Sequence, residues 1–266
     1  MPQAVRRMLF IIVLLPLAAI AAEVSVRDIP TRAGVTQRVL LIQPDRSIAA
    51  VILLPGGNGL VQIGADGSVG RGGNFLVRSR EQFARAGFLV AVLDAPSDRI
   101  EGPALDYFRQ TDEHATDVGR VIMLLREEVK RPVWLVGTSR GTTSVANAAI
   151  RLRENGPDGV VFTASLVGND RERVPSMAIE SIRAPALVVH HEEDACRYCL
   201  LRDVPALMVG LKGASRSELI TFRGGGPARG NPCQAFHYHG FIGIEHEVVS
   251  RIADWIKSQL PSESGR

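Results

Sequence analysis

The stretch "VWLVGTSRGTTSVANAAI", residues 133–150, decides how the chain is read. Four apolar residues run into Gly137, Ser139 stands between Gly137 and Gly141, and small helix-compatible residues follow. An apolar run that ends at a glycine and restarts as a helix is a buried strand turning sharply. In a G-x-S-x-G turn at such a junction the serine backbone is strained, and bulk two residues to either side collides with the adjoining strand and helix. Glycine at both flanks relieves that collision, so Ser139 is read as an exposed nucleophile at a strand end and not as part of an ordinary tight turn.

Outward from this junction, short apolar runs alternate with longer amphipathic segments. Strands are expected at 23–29, 36–43, 49–55, 88–94, 132–137, 159–168, 186–191 and 217–223, and helices at 75–86, 112–129, 140–154, 200–210 and 246–259. From Ala49 onward the strand candidates are nearly continuous in Val, Leu, Ile and Phe, the pattern of parallel strands covered on both faces. Strand followed by helix, repeated, implies an α/β fold: a doubly wound sheet with right-handed crossovers. The chain has 266 residues, 45% of them hydrophobic, enough for one large core, with no internal repeat and no linker that would divide it. Two glycine-rich stretches, "PGGNGLVQIGADGSVGRGGN" at 55–74 and "RGGGPARGNP" at 223–232, follow strand candidates and are read as loops at the sheet edge where α/β proteins bind ligands.

Residues 1–22 differ from the rest. Arg6 and Arg7 precede the apolar run "MLFIIVLLPLAAIAA", which closes in small residues with Ala19-Ile20-Ala21 as a cleavage pattern. This is the form of a bacterial-type signal peptide, so a periplasmic or secreted enzyme is expected, with 23–266 as one domain. The run is short for a bilayer span of about 20 residues and is interrupted by Pro16, so no stable membrane span is expected after cleavage. Of 31 Lys and Arg side chains only Arg6 and Arg7 fall in this segment, and none of the 28 Asp and Glu, which leaves a net charge of +1 on the remainder. The basic residues are dispersed, which argues against a nucleic-acid partner. The three cysteines of an exported chain meet an oxidising compartment, where a disulfide is favoured. Nothing in the sequence fixes the oligomeric state.

With Gly137-Thr138-Ser139-Arg140-Gly141 placed between "VWLV" and a small-residue helix start, the chain resembles the α/β-hydrolase superfamily, and within it the exported or dienelactone-hydrolase-like members without a large cap. The resemblance runs from the "VILLPGGNG" loop to the final helix "EHEVVSRIADWIKSQL". It implies an eight-stranded, mostly parallel sheet with helices on both faces, one antiparallel strand near the start, and a triad in the chain order Ser, acid, His. A serine hydroxyl needs an imidazole to take its proton and a carboxylate to hold the imidazole's tautomer. Asp194, in the turn after "ALVVHH", matches the position of the family's acid; Glu192, Glu193 and Asp170 are its competitors. His239, in "HGF", matches the base, with His237 and His246 as alternatives, while His114, His190 and His191 are read as structural. The oxyanion hole implied by the family takes one backbone N–H from Arg140 and the other from Gly57 or Asn58, with Pro55-Gly56 standing where relatives have His-Gly.

No cofactor is expected. The glycines of 55–74 lack the Lys-Ser/Thr pair of a phosphate-binding loop, and no H-x-x-x-H or paired C-x-x-C spacing suggests zinc. Only residues 169–184 separate the sixth and seventh strands, the segment where capped relatives insert a lid, so the site should be open to a small-molecule acyl substrate. The Arg140 guanidinium and the loop at 64–73 are expected to favour polar or anionic substrates. Three functions follow: hydrolysis of carboxylic esters through an acyl-enzyme; the same chemistry on a peptide, thioester or lactone; or a non-catalytic binding protein on this fold. If Asp194 holds His239, their loops run side by side and bring Cys196 within bridging range of Cys233; a Cys196–Cys199 bridge is the rival pairing.

Overall fold

The computed structural model describes residues 22–261; the signal peptide expected at 1–22 lies, apart from Ala22, outside the described residues. Eight strands form one sheet: β1 (Glu23–Arg32), β2 (Val35–Gln43), β3 (Ala49–Leu54), β4 (Phe88–Leu93), β5 (Val133–Thr138), β6 (Gly159–Thr163), β7 (Ala186–His191) and β8 (Ser217–Phe222). Their order is β1-β2-β4-β3-β5-β6-β7-β8. β2 runs antiparallel to both β1 and β4, and every pairing from β4 to β8 is parallel.

Every residue of β3, β4, β5, β6 and β7 is buried, which explains why these strands read as unbroken apolar runs. Alternate side chains feed two separate cores. Ala50, Ile52 and Leu54 face the core covered by α2 (Asp112–Val129), α3 (Gly141–Leu152) and α4 (Val204–Gly210). Ala49, Val51 and Leu53 face the core covered by α1 (Phe75–Arg85) and α5 (Glu245–Gln259). On α5 the buried stripe comprises Val248, Val249, Ile252, Ala253, Trp255 and Ile256. Local signals set the helix starts: the Asn74 side chain accepts from the Leu76 N–H at the head of α1, and Thr111 accepts from the His114 N–H at the head of α2.

Two boundaries differ by four residues or more from the sequence reading. The expected strand at 159–168 stops at Thr163 because Ala164 takes a positive φ of 42° and turns the chain out of the ladder. The helix expected at 200–210 begins as a single 3-10 turn, Leu201–Asp203, before α4, with Pro205 in the first turn of α4, where a missing N–H costs nothing. Among the described residues no helix is long and apolar enough to cross a membrane. Between β6 and β7 there are only the short turns Val174–Ser176 and Ile179–Ser181, and no cap domain is inserted.

His114 is packed in the core against the edge of Phe108, and neither ring nitrogen has a hydrogen-bond partner. Burial, with the nearby charges of Arg109 and Arg32, lowers its pKa to about 3. A histidine kept neutral in the folded state stabilises the fold fully above its unfolded pKa near 6.5, and that contribution is lost as pH falls toward the folded value, because the unfolded chain takes up the proton first. Urea unfolding of the wild type should therefore lose up to about 1.4 kcal/mol per pH unit on account of this residue between roughly pH 6 and pH 4. His114→Phe should show a shallower fall over that range, and parallel curves for the two proteins would contradict the assignment.

Candidate active site

β5 delivers Ser139 at its end, with φ of 53° in a region that non-glycine residues rarely adopt. The surroundings enforce it. The Ser139 N–H donates to the Thr163 carbonyl at 3.0 Å, and the Ser139 carbonyl accepts from the Thr142 N–H at 2.9 Å and from the Thr142 hydroxyl at 2.6 Å. A Cβ on Gly141 would lie 2.0 Å from the Leu54 carbonyl oxygen, and one on Gly137 would lie 2.5 Å from the Gly141 carbonyl oxygen. Both glycines of G-x-S-x-G are thus required because β3, β5 and α3 meet at backbone contact distance. Gly56 packs against the other side of the turn, where a Cβ would come within 2.9 Å of the Ser139 Cβ.

The turn after β7 carries Asp194, 4% exposed, and the 3-10 turn Tyr238–Gly240 carries His239, 5% exposed. The Asp194 Oδ2 meets the His239 Nδ1 at 2.9 Å, while its Oδ1 accepts the Cys196 N–H at 2.9 Å. Gly240 permits this approach: a Cβ there would sit 2.0 Å from the Ala235 carbonyl oxygen. The competing carboxylates are engaged elsewhere or exposed. Glu192 is bound to Arg223 and Thr221, Asp170 to Arg140, and Glu193 is exposed. His246 is exposed in the first turn of α5, and His237 lies beside Tyr238 with a buried Nδ1 that has no partner.

His190 and His191 hold backbone. The His190 Nε2 accepts the Ser165 N–H at 2.8 Å, and burial lowers the pKa of that imidazole to about 4. The His191 Nδ1 accepts the Glu193 N–H, which leaves its Nε2 to donate to the Gly224 carbonyl at 2.9 Å, and its ring stacks on Tyr238 at 4.6 Å. His191 therefore ties the Asp194 turn to the residue preceding His239, a positioning contact that its place at the end of an apolar strand did not reveal.

Two further groups were not legible in the sequence. Arg109 is 1% exposed, and its guanidinium donates to the Ser144 hydroxyl on α3 at 2.7 Å and to the Pro55 and Gly57 carbonyls at 3.1 Å each. Burial lowers its pKa to about 10, so it stays charged at neutral pH. Because the peptide unit is planar and trans, holding the Gly57 C=O on Arg109 aims the Asn58 N–H the opposite way. Among the described residues the N–H groups of Gly57, Asn58 and Arg140 donate to no protein acceptor. Asp94, 8% exposed, accepts the Val61, Ile63 and Ala95 N–H groups and so fastens the start of the glycine-rich loop.

The Arg140 side chain does not serve the role expected of it. Its guanidinium is shared among Glu172 at 2.9 Å, Asp170 at 3.1 Å and Asp106 at 3.4 Å, which leaves it neutralised and unable to recognise a substrate anion. A cleft of about 350 Å³ is lined by the loop from Pro55 to Asn58, Arg71, Asn74, Ser139, Phe236 and His239. Cys233 also borders it and forms the disulfide with Cys196, with the Cα atoms 4.5 Å apart. Cys199 remains a buried free thiol, its pKa pushed up by burial and by the Asp194 charge and partly offset by the Ser139 hydroxyl. Cys196, Cys199 and a ring nitrogen of His239 lie within 4.8 Å of one another. The cluster does not fit zinc: Cys196 is spent in the disulfide and the His239 Nδ1 faces Asp194, which leaves fewer than three free donors.

No protein-family model matches the chain, and no curated protein matches it in sequence. Solved structures do. It is similar to a lidless α/β serine hydrolase of Xanthomonas campestris (15% identity, TM-score 0.60, covering 93% of this chain and 99% of that one). It is similar to a dienelactone hydrolase of Anabaena variabilis (15% identity, TM-score 0.61, 90% and 99% covered) and to an esterase of Pyrococcus furiosus (14% identity, TM-score 0.65, 90% and 92% covered). The chain has the α/β-hydrolase fold, in the form without a large cap.

The disulfide closes the Asp194 turn onto the His239 loop across 37 residues, a constraint that the chain-entropy model values at roughly 3–4 kcal/mol. The Cys196→Ser/Cys233→Ser double variant should lose about that much stability in urea unfolding and should also lose turnover at temperatures where it remains folded. Undiminished turnover in the folded variant would show that the bridge supports the fold alone.

Proposed function

We propose that this chain is an exported serine hydrolase that cleaves carboxylic esters or related acyl bonds through an acyl-enzyme, with Ser139 as nucleophile, His239 as general base and Asp194 as the orienting acid. The observation that carries the reading is the 2.9 Å contact between Asp194 Oδ2 and His239 Nδ1, beside a Ser139 held at positive φ in the same cleft. The neighbours of known structure, described as a lidless serine hydrolase, a dienelactone hydrolase and an esterase, support hydrolysis as the reaction class.

In this mechanism Asp194 accepts the Nδ1–H of His239, which fixes the tautomer that leaves Nε2 free to take the Ser139 proton. The Ser139 Oγ attacks the carbonyl carbon, and the negative charge on the tetrahedral oxygen is met by the backbone N–H of Arg140 and that of Gly57 or Asn58. The imidazolium then gives its proton to the departing alcohol, leaving an acyl-Ser139 ester. Water, deprotonated by the same imidazole, attacks that ester; the acid departs and the serine proton is restored. The short β6–β7 connection leaves the cleft open, which suits small acyl groups, and a lactone fits the same chemistry with the alcohol retained on the product. The disulfide and the expected signal peptide at 1–22 agree in favouring a periplasmic or secreted enzyme whose domain is 23–266. A binding protein on this fold would have no use for a strained serine beside a paired imidazole.

Ser139→Ala should lower turnover of a short-chain aryl ester by about 10⁴-fold or more, leaving the residue supplied by binding and the oxyanion hole. His239→Ala should be comparably damaging, while His237→Ala and His246→Ala keep most activity. Steady-state kinetics on the four variants check this ranking: wild-type turnover in Ser139→Ala would refute the nucleophile, and a reversed histidine order would move the base.

A further inference from the structure

A cation buried without a carboxylate hydrogen-bonded to it is costly, and the one that this fold keeps backs onto the proposed oxyanion hole. Arg109 is buried, and it stays charged at neutral pH although burial lowers its pKa to about 10. None of its hydrogen bonds goes to an acid. Nη1 donates to the Ser144 hydroxyl, and Nη2 donates to both the Pro55 and the Gly57 carbonyls. Glu172 and Asp106 feel its charge without a hydrogen bond to it and are paired with Arg140 instead.

The loop is shaped to receive this side chain. Leu105, one turn before Arg109, donates its N–H to the Asn58 carbonyl at 3.0 Å. Gly59, with φ of 83°, admits both residues: a Cβ there would lie 2.3 Å from the Leu105 Cδ1 and 3.0 Å from the Arg109 Nη2. The Gly57 and Asn58 carbonyls are thus both drawn toward the 105–109 segment. Asn58 lines the cleft and Arg109 does not, so the Gly57–Asn58 peptide turns its carbonyl to the guanidinium and its N–H to the cleft. Ser144 lies on α3, whose N-cap residue is Arg140, the other expected donor. One buried cation therefore ties the two halves of the hole together.

We infer that Arg109 is a positioning residue for the hydrolysis: through the Gly57 carbonyl it aims and polarises the Asn58 N–H, which serves as the second oxyanion donor in preference to the Gly57 N–H. The inference rests on the serine-hydrolase reading. Hydrogen bonds in a chain strengthen one another, so a guanidinium on the carbonyl of a peptide makes the N–H of that peptide a stronger donor. The charge itself, little screened in a dry interior, favours the anionic tetrahedral oxygen over the neutral carbonyl of the bound substrate. Both effects grow as charge develops, so they lower the barrier without tightening substrate binding.

The test is Arg109→Met, which keeps much of the volume and removes the charge and the donors. It is assayed with a short-chain aryl ester and with a trifluoromethyl ketone, whose hemiketal with Ser139 carries the oxyanion itself. Rates are taken per reactive site, counted as fluorophosphonate adduct at completion, which removes any difference in folded fraction. Acylation and deacylation both pass through an oxyanion, so kcat should fall about 10- to 100-fold, less than the roughly 10²–10³ for outright loss of a donor, with KM within about twofold. The Ki of the ketone should rise by the factor by which kcat/KM falls. Arg109→Lys, which keeps a charge but not the fork, should show a smaller parallel shift, and it decides the matter if Arg109→Met does not fold. Val121→Ala, a cavity in the core under α2, should lower stability and leave both constants unchanged per site. A loss confined to the number of reactive sites, a raised KM at unchanged kcat, or a ketone Ki that does not follow kcat/KM would overturn the inference and leave a Ser139-dependent hydrolase standing. Hydrolysis absent from the wild type, or undiminished in Ser139→Ala, would overturn the hydrolase reading instead.

Discussion

The structure depends on one steric constraint: Ser139 at positive φ sits where β3, β5 and α3 meet so closely that Gly137 and Gly141, two residues to either side, have no room for a side chain. The Gly141 position lies against the Leu54 carbonyl and Gly137 against the Gly141 carbonyl, so neither can carry a side chain while the turn keeps this packing. The same contacts bring the carboxyl end of β3 beside the serine, and the Pro55–Asn58 loop follows directly from that strand. The parallel ladder does the rest, because β7 ends at the same edge and carries Asp194 there. A strained residue persists only when its surroundings over-determine it, and here backbone hydrogen bonds to Thr163 and Thr142 do so.

Around that wedge, buried charge is used to hold backbone. Arg109 clamps the Pro55 and Gly57 carbonyls to α3, and Asp94 collects the Val61 and Ile63 N–H groups at the start of the 61–71 loop together with that of its neighbour Ala95. Each satisfies main-chain groups of a loop that has no sheet partner beyond one isolated bridge, and an unpaired buried backbone group would cost about 1–3 kcal/mol. On the far wall, the stacking of His191 on Tyr238 and the Cys196–Cys233 bond join the acid and base loops. The cleft walls are thus fixed by polar and covalent ties.

The parts of this arrangement that were legible in the sequence are those with local signatures. Periodicity and apolar runs located all eight strands and five helices; for β3 to β7 the signal is strongest, because burial on both faces makes their composition continuously apolar. Gly137-Thr138-Ser139-Arg140-Gly141 located the elbow, because its glycines answer a local collision. The resemblance to the α/β-hydrolase superfamily then pointed to Asp194 and His239 ahead of their alternatives, the pair that the fold brings into contact, and from that pairing Cys196–Cys233 was preferred to Cys196–Cys199. What could not be read were contacts between distant side chains and backbone. Arg109 lies 54 residues from its Pro55 acceptor, and nothing about its neighbours in sequence marks it as buried. The Arg140 side chain was misread for the same reason: its three carboxylate partners lie in segments that only the fold brings together. The 159–168 strand was overextended because Ala164 has no sequence feature that announces a positive φ.

The central claim is that the strained Ser139, activated by the His239–Asp194 pair, is the group that forms a covalent bond with substrate. Its most direct test is reaction with a fluorophosphonate, followed by intact mass and peptide mapping. A single adduct on the peptide containing Ser139, absent from Ser139→Ala and strongly slowed in His239→Ala, is the expected result. A wild-type protein that stays unmodified, or an adduct that maps to another residue, would contradict the account.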